Sequence, residues 1–248
     1  MPSRQSPTLL VVPAFRESQR LPNFLPDLCR AVATLEGSPV EIRVVDDGSG
    51  STEQEFLIEL VSELRQSYPF LQEPLILEKN RGKGGAVYAG WDASKGMAFG
   101  SLGFVDADGA VSASEVVRVL ELVPGSDSGE CLYAARLDDS DQAIKRTLIR
   151  KWLGLLFRRL TRMFFKLPIR DSQCGFKIIP AEPYHAIRGL LTELRYCFDI
   201  DLTIHLLKAG VKIREVPISW TETPGTKITL SQGTKMLSSL WQLRKKVD

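Results

Sequence analysis

The sequence predicts an α/β fold with a Rossmann-like half, built on a mostly parallel mixed sheet flanked by helices. Three observations lead there. Thr8 to Val12 is an apolar run stopped at Pro13 and followed by an amphipathic stretch from Leu21 to Leu35; Val40 to Val45 then repeats the plan, with Phe56, Leu57, Leu60, Val61 and Leu64 at helical spacing behind it. Strand–helix–strand repetition of this kind demands parallel strands joined by right-handed crossovers. The third observation is that the strands end in acids: Glu17 follows the first, Asp46 and Asp47 the second, and Asp106 and Asp108 the short apolar run Leu102, Phe104 and Val105. Open sheets of this class bind ligands beyond the carboxyl ends of their strands.

The chain has 248 residues, of which 44% are hydrophobic and 25% charged, enough for one large α/β domain. No linker, repeat or low-complexity tract divides it, and the stretches Gly37 to Pro39 and Pro124 to Gly129 are short enough for ordinary loops. A net charge of +2 selects no partner class. Cys29, Cys131, Cys174 and Cys197 are scattered without metal-ligand spacing and are expected as reduced core thiols. No window of about 18 apolar residues occurs, so a cytoplasmic protein with at most peripheral membrane contact is expected.

Each polar cluster has a chemical and an architectural reading. Asp106-Ala107-Asp108-Gly109 offers two hard oxygen ligands for Mg²⁺ or Mn²⁺ held against a diphosphate, or a polar turn capped by Gly109. Asp46-Asp47-Gly48-Ser49 offers carboxylates to ribose hydroxyls and a base N–H, or an Asx turn and helix cap. Between the third strand, Leu75 to Leu77, and the next helix lies Asn80-Arg81-Gly82-Lys83-Gly84-Gly85-Ala86, where glycines let backbone approach a ligand and Arg81 and Lys83 stand near a helix N-terminus. The hydroxyl that should follow Gly-Lys in a phosphate loop of NTPases is missing, which excludes that class. A nucleotidyltransferase is disfavoured because no glycine-rich loop lies between Val12 and Leu21.

Segment 143–170 carries nine Lys and Arg residues, Lys145, Arg146 and Arg150 among them, interleaved with Trp152, Phe157, Phe164 and Phe165, and no acid. It reads as helix at a membrane surface or a groove for an anionic lipid, or else as a core helix with a solvated basic face. No nucleic-acid-binding motif accompanies it, and no nucleic-acid partner is expected. The last stretch, Met236 to Lys246, mixes Leu237, Leu240, Trp241 and Leu243 with Arg244, Lys245 and Lys246 as a second amphipathic candidate. His185 and His205 read as structural.

Pro13-Ala14-Phe15-Arg16-Glu17, Asp46-Asp47-Gly48-Ser49, Asn80-Arg81-Gly82-Lys83-Gly84 and Asp106-Ala107-Asp108-Gly109 stand in an order and spacing that resembles family 2 glycosyltransferases of the GT-A fold. Asp171-Ser172-Gln173-Cys174-Gly175-Phe176-Lys177, Phe198-Asp199-Ile200-Asp201 and Trp220-Thr221-Glu222 with Gly225-Thr226-Lys227 look most like their dolichyl-phosphate (polyprenyl-phosphate) glucosyltransferase branch, with the mannosyltransferases beside it. The resemblance covers nearly the whole chain. It implies a single GT-A domain over 1–248: a nucleotide-sugar half of about 1–110, an acceptor half of about 111–230 and an amphipathic helix over 233–246. It also implies an inverting transfer of a hexose, glucose from UDP-glucose or mannose from GDP-mannose, to a polyprenyl or dolichyl phosphate at the cytoplasmic face of a membrane.

In that reading Pro13, Ala14, Phe15, Glu17, Asp46, Asp47, Arg81, Lys83 and Ala107 bind the nucleotide sugar, with Glu17 on the ribose and Asp46 or Asp47 on the base. Asp106 and Asp108 hold Mg²⁺ or Mn²⁺, and Lys83 and Lys227 assist against the charge of the leaving diphosphate. Arg136, Lys145, Arg146, Arg150 and Gln173 receive the acceptor phosphate. A lipid phosphate, with a second pKa near about 6, needs cations and no base; a hydroxyl acceptor would need one, and Asp171, Asp199 and Asp201 are the candidates. Some related mannosyltransferases carry a third metal-binding side chain where this chain has Ala110. Transfer to a soluble hydroxyl and an inactive lipid-binding module are the competing functions, and the sequence does not fix the oligomeric state.

Overall fold

The computed structural model describes residues 6–36, 39–123, 129–136, 159–161, 163–221 and 230–247. The Rossmann-like half runs β1 (Thr8–Ala14), α1 (Leu21–Val32), β2 (Val40–Asp46), α2 (Ser51–Arg65), β3 (Leu75–Ile76), α3 (Lys83–Asp92) and β4 (Ser101–Val105). The second half runs α4 (Ala113–Leu120), β5 (Cys131–Arg136), β6 (Phe176–Pro180), α5 (Ala181–Ile187), a 3₁₀ turn at Arg188–Leu190, α6 (Phe198–Lys208), β7 (Ile213–Ile218) and α7 (Leu230–Val247). The first three strand–helix units fall where the apolar periodicity puts them. α1 is one turn shorter than the pattern suggests, and β3 keeps two residues because only Val45 and Asp46 of β2 pair with it.

Seven strands form one sheet in the order β3-β2-β1-β4-β6-β5-β7. β1 pairs parallel with β2 and β4, whereas β6 runs antiparallel to β4 and β5. β1 through β3 march to one edge and the chain then returns to place β4 on the other side of β1, so the direction of winding reverses between β1 and β4. A crevice opens at such a reversal.

Strand alternation sorts the core into two layers. Leu9 and Val11 pack with Trp91, Phe104, Tyr184 and Phe198 on the face covered by α3, α5, α6 and α7; Leu10 and Val12 pack with Leu25, Leu28, Val61 and Val116 on the face covered by α1, α2 and α4. With helices on both sides, β1 is buried on both, which is why its run Leu9 to Val12 is apolar without alternation. Trp91 sits at the middle of the first layer; its indole N–H donates to the Gly103 carbonyl at 3.0 Å and its ring meets Tyr184 edge-on at 4.9 Å.

Candidate active site

The rim at the strand ends is built by register. Ala14 of β1 lies beside Asp46 of β2, and the Asp47 N–H donates to the Ala14 carbonyl at 2.8 Å, so the acids after β2 emerge next to Phe15 to Glu17. Arg16 takes a left-handed backbone (φ 56°), a conformation that costs an L-residue about 1 kcal/mol. Its N–H is held by the Ser49 hydroxyl at 2.9 Å. Glu17 accepts from the Arg20 guanidinium, with Nε at 2.6 Å.

Asp46 and Asp47 are both buried, and their carboxylates are engaged within the chain. Asp46 accepts from the Ser49 N–H and the Gln54 side-chain amide, each at 3.0 Å, and so closes the turn that leads into α2. Asp47 accepts from the Arg81 N–H at 2.7 Å and the Gly82 N–H at 2.8 Å. The anion at the N-terminus of α3 is therefore a carboxylate of this protein. Burial raises the Asp47 carboxyl above its ordinary range, the two N–H groups oppose that, and Asp46 adds to it.

Asp106 follows directly on β4. Its N–H donates to the Gly175 carbonyl at 2.9 Å, and a Cβ placed on Gly175 would lie 2.1 Å from an Asp106 carboxylate oxygen, so Gly175 is the cradle in which that carboxylate fits. The other oxygen pairs with Lys83 Nζ at 2.6 Å. Lys83 in turn lies 5.0 Å from the centre of the Phe104 ring and 5.6 Å from that of Phe198. Desolvation works against its charge, yet Asp106 and Asp199 hold its ammonium above the ordinary lysine range.

Asp108 accepts from the Ala110 N–H at 3.0 Å. Burial raises its carboxyl and Asp106 raises it further, with Arg20 and Lys83 opposing. Glu17 is raised by burial first and then, beyond the opposition of Arg20, by Asp108 and Asp106. Three carboxylates from the ends of β1 and β4 thus share one field, and a cation brought among them would relieve all three. Among the described residues no set of three or more His, Cys, Asp or Glu side chains is placed to hold a metal. The donor set of Asp106 and Asp108 fits a hard dication that takes its remaining oxygens from a diphosphate and water, as Mg²⁺ does.

On the second half, Asp171 is almost fully buried and grips Arg136: Nε at 2.6 Å, Nη2 at 2.8 Å and the Arg136 N–H at 3.3 Å all donate to it. Burial alone would raise the Asp171 carboxyl, but the Arg136 fork outweighs it and holds it below the ordinary range. Arg136 also lies 5.6 Å from the centre of the Trp220 ring. Glu215 fixes the turn by accepting from the Arg170 and Asp171 N–H groups at 2.7 and 2.9 Å. Gln173 reaches the Tyr196 carbonyl at 3.5 Å. Lys145, Arg146, Arg150, Lys227, and most of the 143–170 segment lie outside the described residues.

Asp199 and one oxygen of Asp201 are also held from within, the other Asp201 oxygen lying buried 3.1 Å from His205 Nδ1. Lys177, fully buried on β6, donates to Asp199 at 3.2 Å and to the Cys174 carbonyl at 2.8 Å. Asp201 accepts from the Thr192 and Glu193 N–H groups at 2.8 and 2.9 Å. The sequence shows Gly175 and Lys177 inside a family-like segment without assigning either a role, and Arg20 goes unmarked. A lysine inside the buried run Phe176 to Ile179 was the signal for Lys177, because a charge on such a strand requires a buried partner. The glycine and Arg20 carry no comparable mark.

A parallel Rossmann-like half with paired acids at two strand ends, extended by one antiparallel strand, is the GT-A architecture of glycosyltransferases. Residues 9–187 match the family described as Glycosyl transferase family 2, and the chain belongs to that family. It is 30% identical over 245 residues to a dolichyl-phosphate beta-glucosyltransferase of Dictyostelium discoideum, covering 95% of this chain and 73% of that one. It is 29% identical over 248 residues to the enzyme of the same name from Saccharomyces cerevisiae, with the same coverage of 95% and 73%. Among solved structures it is similar to glucosyl-3-phosphoglycerate synthase from Mycobacterium tuberculosis in complex with Mg²⁺ and uridine-diphosphate, at a TM-score of 0.65 and 14% identity over 97% of this chain and 80% of that one. It is likewise similar to the mannosyltransferase PcManGT from Pyrobaculum calidifontis in complex with GDP-Man and Mn²⁺, at 0.57 and 14% over 98% and 62%. These two share the fold.

Proposed function

We propose that this glycosyltransferase moves glucose from UDP-glucose to a polyprenyl or dolichyl phosphate, with inversion and with Mg²⁺ or Mn²⁺ held by Asp106 and Asp108. The observation that carries the reading is the convergence of Glu17, Asp106, Asp108 and Lys83 at the winding reversal between β1 and β4. The nucleotide lies across the ends of β1 and β2, against Pro13, Ala14, Phe15, Glu17, Asp46, Asp47, Arg81 and Ala107. Once bound, the dication supplies charge stabilisation to the departing diphosphate. Lys83 adds a fixed ammonium on the same side, and Lys227 is assigned to it as well.

The state of the acids supports a phosphate acceptor. Asp171 is closed by Arg136 and Asp199 by Lys177, while Asp201 has one oxygen held by two backbone N–H groups and the other 3.1 Å from His205 Nδ1. A hydroxyl nucleophile asks for a carboxylate with a pKa near working pH, and Asp171 is pushed the opposite way. A phosphate nucleophile is already ionised and asks only for cations. Arg136, aligned by Asp171, is placed on that side with Gln173, and Lys145, Arg146 and Arg150 are assigned there. The names of the Dictyostelium and yeast relatives support the same acceptor and sugar.

Release of UDP from UDP-glucose, measured with Mn²⁺ or Mg²⁺, is expected to rise by more than an order of magnitude when polyprenyl phosphate is added, and to fall to background with EDTA. GDP release from GDP-mannose under the same conditions would move the sugar assignment to mannose. No stimulation of either by polyprenyl phosphate would overturn the acceptor.

We further place the protein on an anionic membrane surface at the cytoplasmic face, docked through α7 and residues 163–165. Met163, Leu237 and Trp241 are exposed there, Phe164 meets Trp241 at 6.1 Å, and Arg244 lies 4.8 Å from the centre of the Phe164 ring, with Lys245 beside it. Among the described residues no helix is long and apolar enough to cross a membrane. Exposed aromatics flanked by cations are how an interfacial helix binds, at about 1 kcal/mol per lysine near an anionic surface. Co-sedimentation with vesicles containing anionic lipid is expected to fall about tenfold or more in Trp241→Ser/Lys245→Gln, with soluble-phase folding unchanged.

A further inference from the structure

Residues 80–85, the end of the β3–α3 loop and the first turn of α3 (loop 80–85), are not an open cradle. A Cβ on Gly82 would lie 2.6 Å from Arg195 Cγ and 2.7 Å from the Leu194 carbonyl oxygen, and a Cβ on Gly84 would lie 2.4 Å from Phe198 Cβ. Segment 192–198 therefore lies directly on these glycines. The Gly85 N–H donates to the Leu194 carbonyl at 3.0 Å, and the Arg195 guanidinium reaches across 115 residues to the Asn80 side-chain oxygen at 3.1 Å and the Asn80 carbonyl at 3.3 Å. At its other end the segment is anchored by Asp201, which accepts from Thr192 and Glu193. Phe198 closes it, its ring 5.6 Å from the Lys83 ammonium.

The geometry points to segment 192–198 as a strap from the second half of the chain that sets the donor-binding loop, with Arg195 as its positioning residue. Arg195 holds Asn80, the first residue of the loop. The next two, Arg81 and Gly82, give their N–H groups to Asp47, and Lys83 comes directly after them to pair with Asp106. Asn80 is thus where the loop's path can be shifted before it reaches the two groups the donor meets. The positive charge of Arg195 also acts on the Asp47 carboxylate. The arrangement makes the placement of Lys83 depend on a residue outside the Rossmann-like half. This inference rests on the proposed role of loop 80–85 in binding the nucleotide sugar, and its test separates the two.

Arg195→Met keeps the aliphatic stem over Gly82 and removes the fork. Calorimetric titration of UDP in the presence of Mn²⁺ is expected to show its Kd rise about tenfold, the order of one charged hydrogen bond. Donor KM should follow, while the acceptor KM stays within twofold and Arg195→Lys recovers part of the loss. Asn80→Ala removes the side-chain bond and keeps the bond to the Asn80 carbonyl, so it should cost less than Arg195→Met, and the pair together no more than Arg195→Met alone. Amide hydrogen exchange is read without ligand: protection of residues 81–86 should fall in Arg195→Met and remain in Arg195→Lys. Unchanged exchange there overturns the strap whatever happens to UDP. Reduced protection with an unchanged Kd overturns Arg195 as a donor-positioning residue. A wild-type protein that binds neither UDP nor GDP refutes the functional reading instead, and the exchange experiment alone then decides the strap.

Discussion

Asp106→Asn is expected to lower kcat by about 10² to 10³, the range seen when one preorganised electrostatic group is removed from a reaction centre. Asparagine is nearly isosteric, so it still fits against Gly175 and still donates its N–H to the Gly175 carbonyl. What it loses is charge. Lys83 gives up its counter-ion at 2.6 Å, and the hard oxygen pair proposed for Mg²⁺ or Mn²⁺ is left with Asp108 alone. Electron paramagnetic resonance titration of Mn²⁺ in the presence of UDP should show weaker metal binding in parallel with the lost turnover.

Gly175→Ala tests the same point without touching the charge. Its Cβ must take space now held by the Asp106 carboxylate, at 2.1 Å, and the Asp106 backbone is tied to Gly175 itself, so the carboxylate has to swing away. Turnover should fall at least tenfold, in keeping with the cost of misplacing a reacting geometry by about 1 Å. Wild-type turnover in both variants would mean that the acids after β4 are not at the reaction centre.

The strand ends were legible because they combine two local signals, an apolar run and an acid just past it, and local signals survive in any fold that uses them. Thr8 to Val12, Val40 to Val45 and the run before Asp106 all became parallel strands side by side. Partnership was not legible. Asp47 reads as a carboxylate on the rim, and nothing in the sequence shows that the N–H groups of Arg81 and Gly82 hold it, since that depends on where α3 begins in space. The glycines of loop 80–85 read as room for a ligand, whereas the structure fills the space over Gly82 and Gly84 with Arg195 and Phe198, more than 100 residues away in the sequence. Asp171, a candidate base by its neighbours in sequence, proves to be the counter-ion of Arg136 on β5. In each case composition and spacing name the group, and a contact between distant segments decides its chemistry.

Lys177 carries the largest expected effect on stability. It is fully buried on β6 with its ammonium between Asp199 and the Cys174 carbonyl, 5.4 Å from the centre of the Phe104 ring and 5.0 Å from that of Tyr133. Breaking a buried pair by removing one partner costs about 3–5 kcal/mol, because the other charge is left in a low dielectric. Lys177→Met should therefore lower Tm by roughly 10 °C for a chain of this size. The deficit should depend on pH. Burial already raises the Asp199 carboxyl above its ordinary range, with Lys177 and Lys83 opposing, and losing Lys177 raises it further. An acid whose folded pKa exceeds its unfolded one binds more protons when folded, so stability is retained below the ordinary carboxylate pKa and lost as pH rises through the folded value. Calorimetric scans of the variant should thus show a larger deficit at pH 8 than at pH 5. Lys177→Met/Asp199→Leu, which replaces the pair by apolar groups, should recover most of the Tm at both pH values. It should not recover turnover: Asp199 is the second carboxylate that holds the Lys83 ammonium charged, and without it that ammonium has only Asp106. Full recovery of both stability and activity would mean that the buried acid does nothing for Lys83.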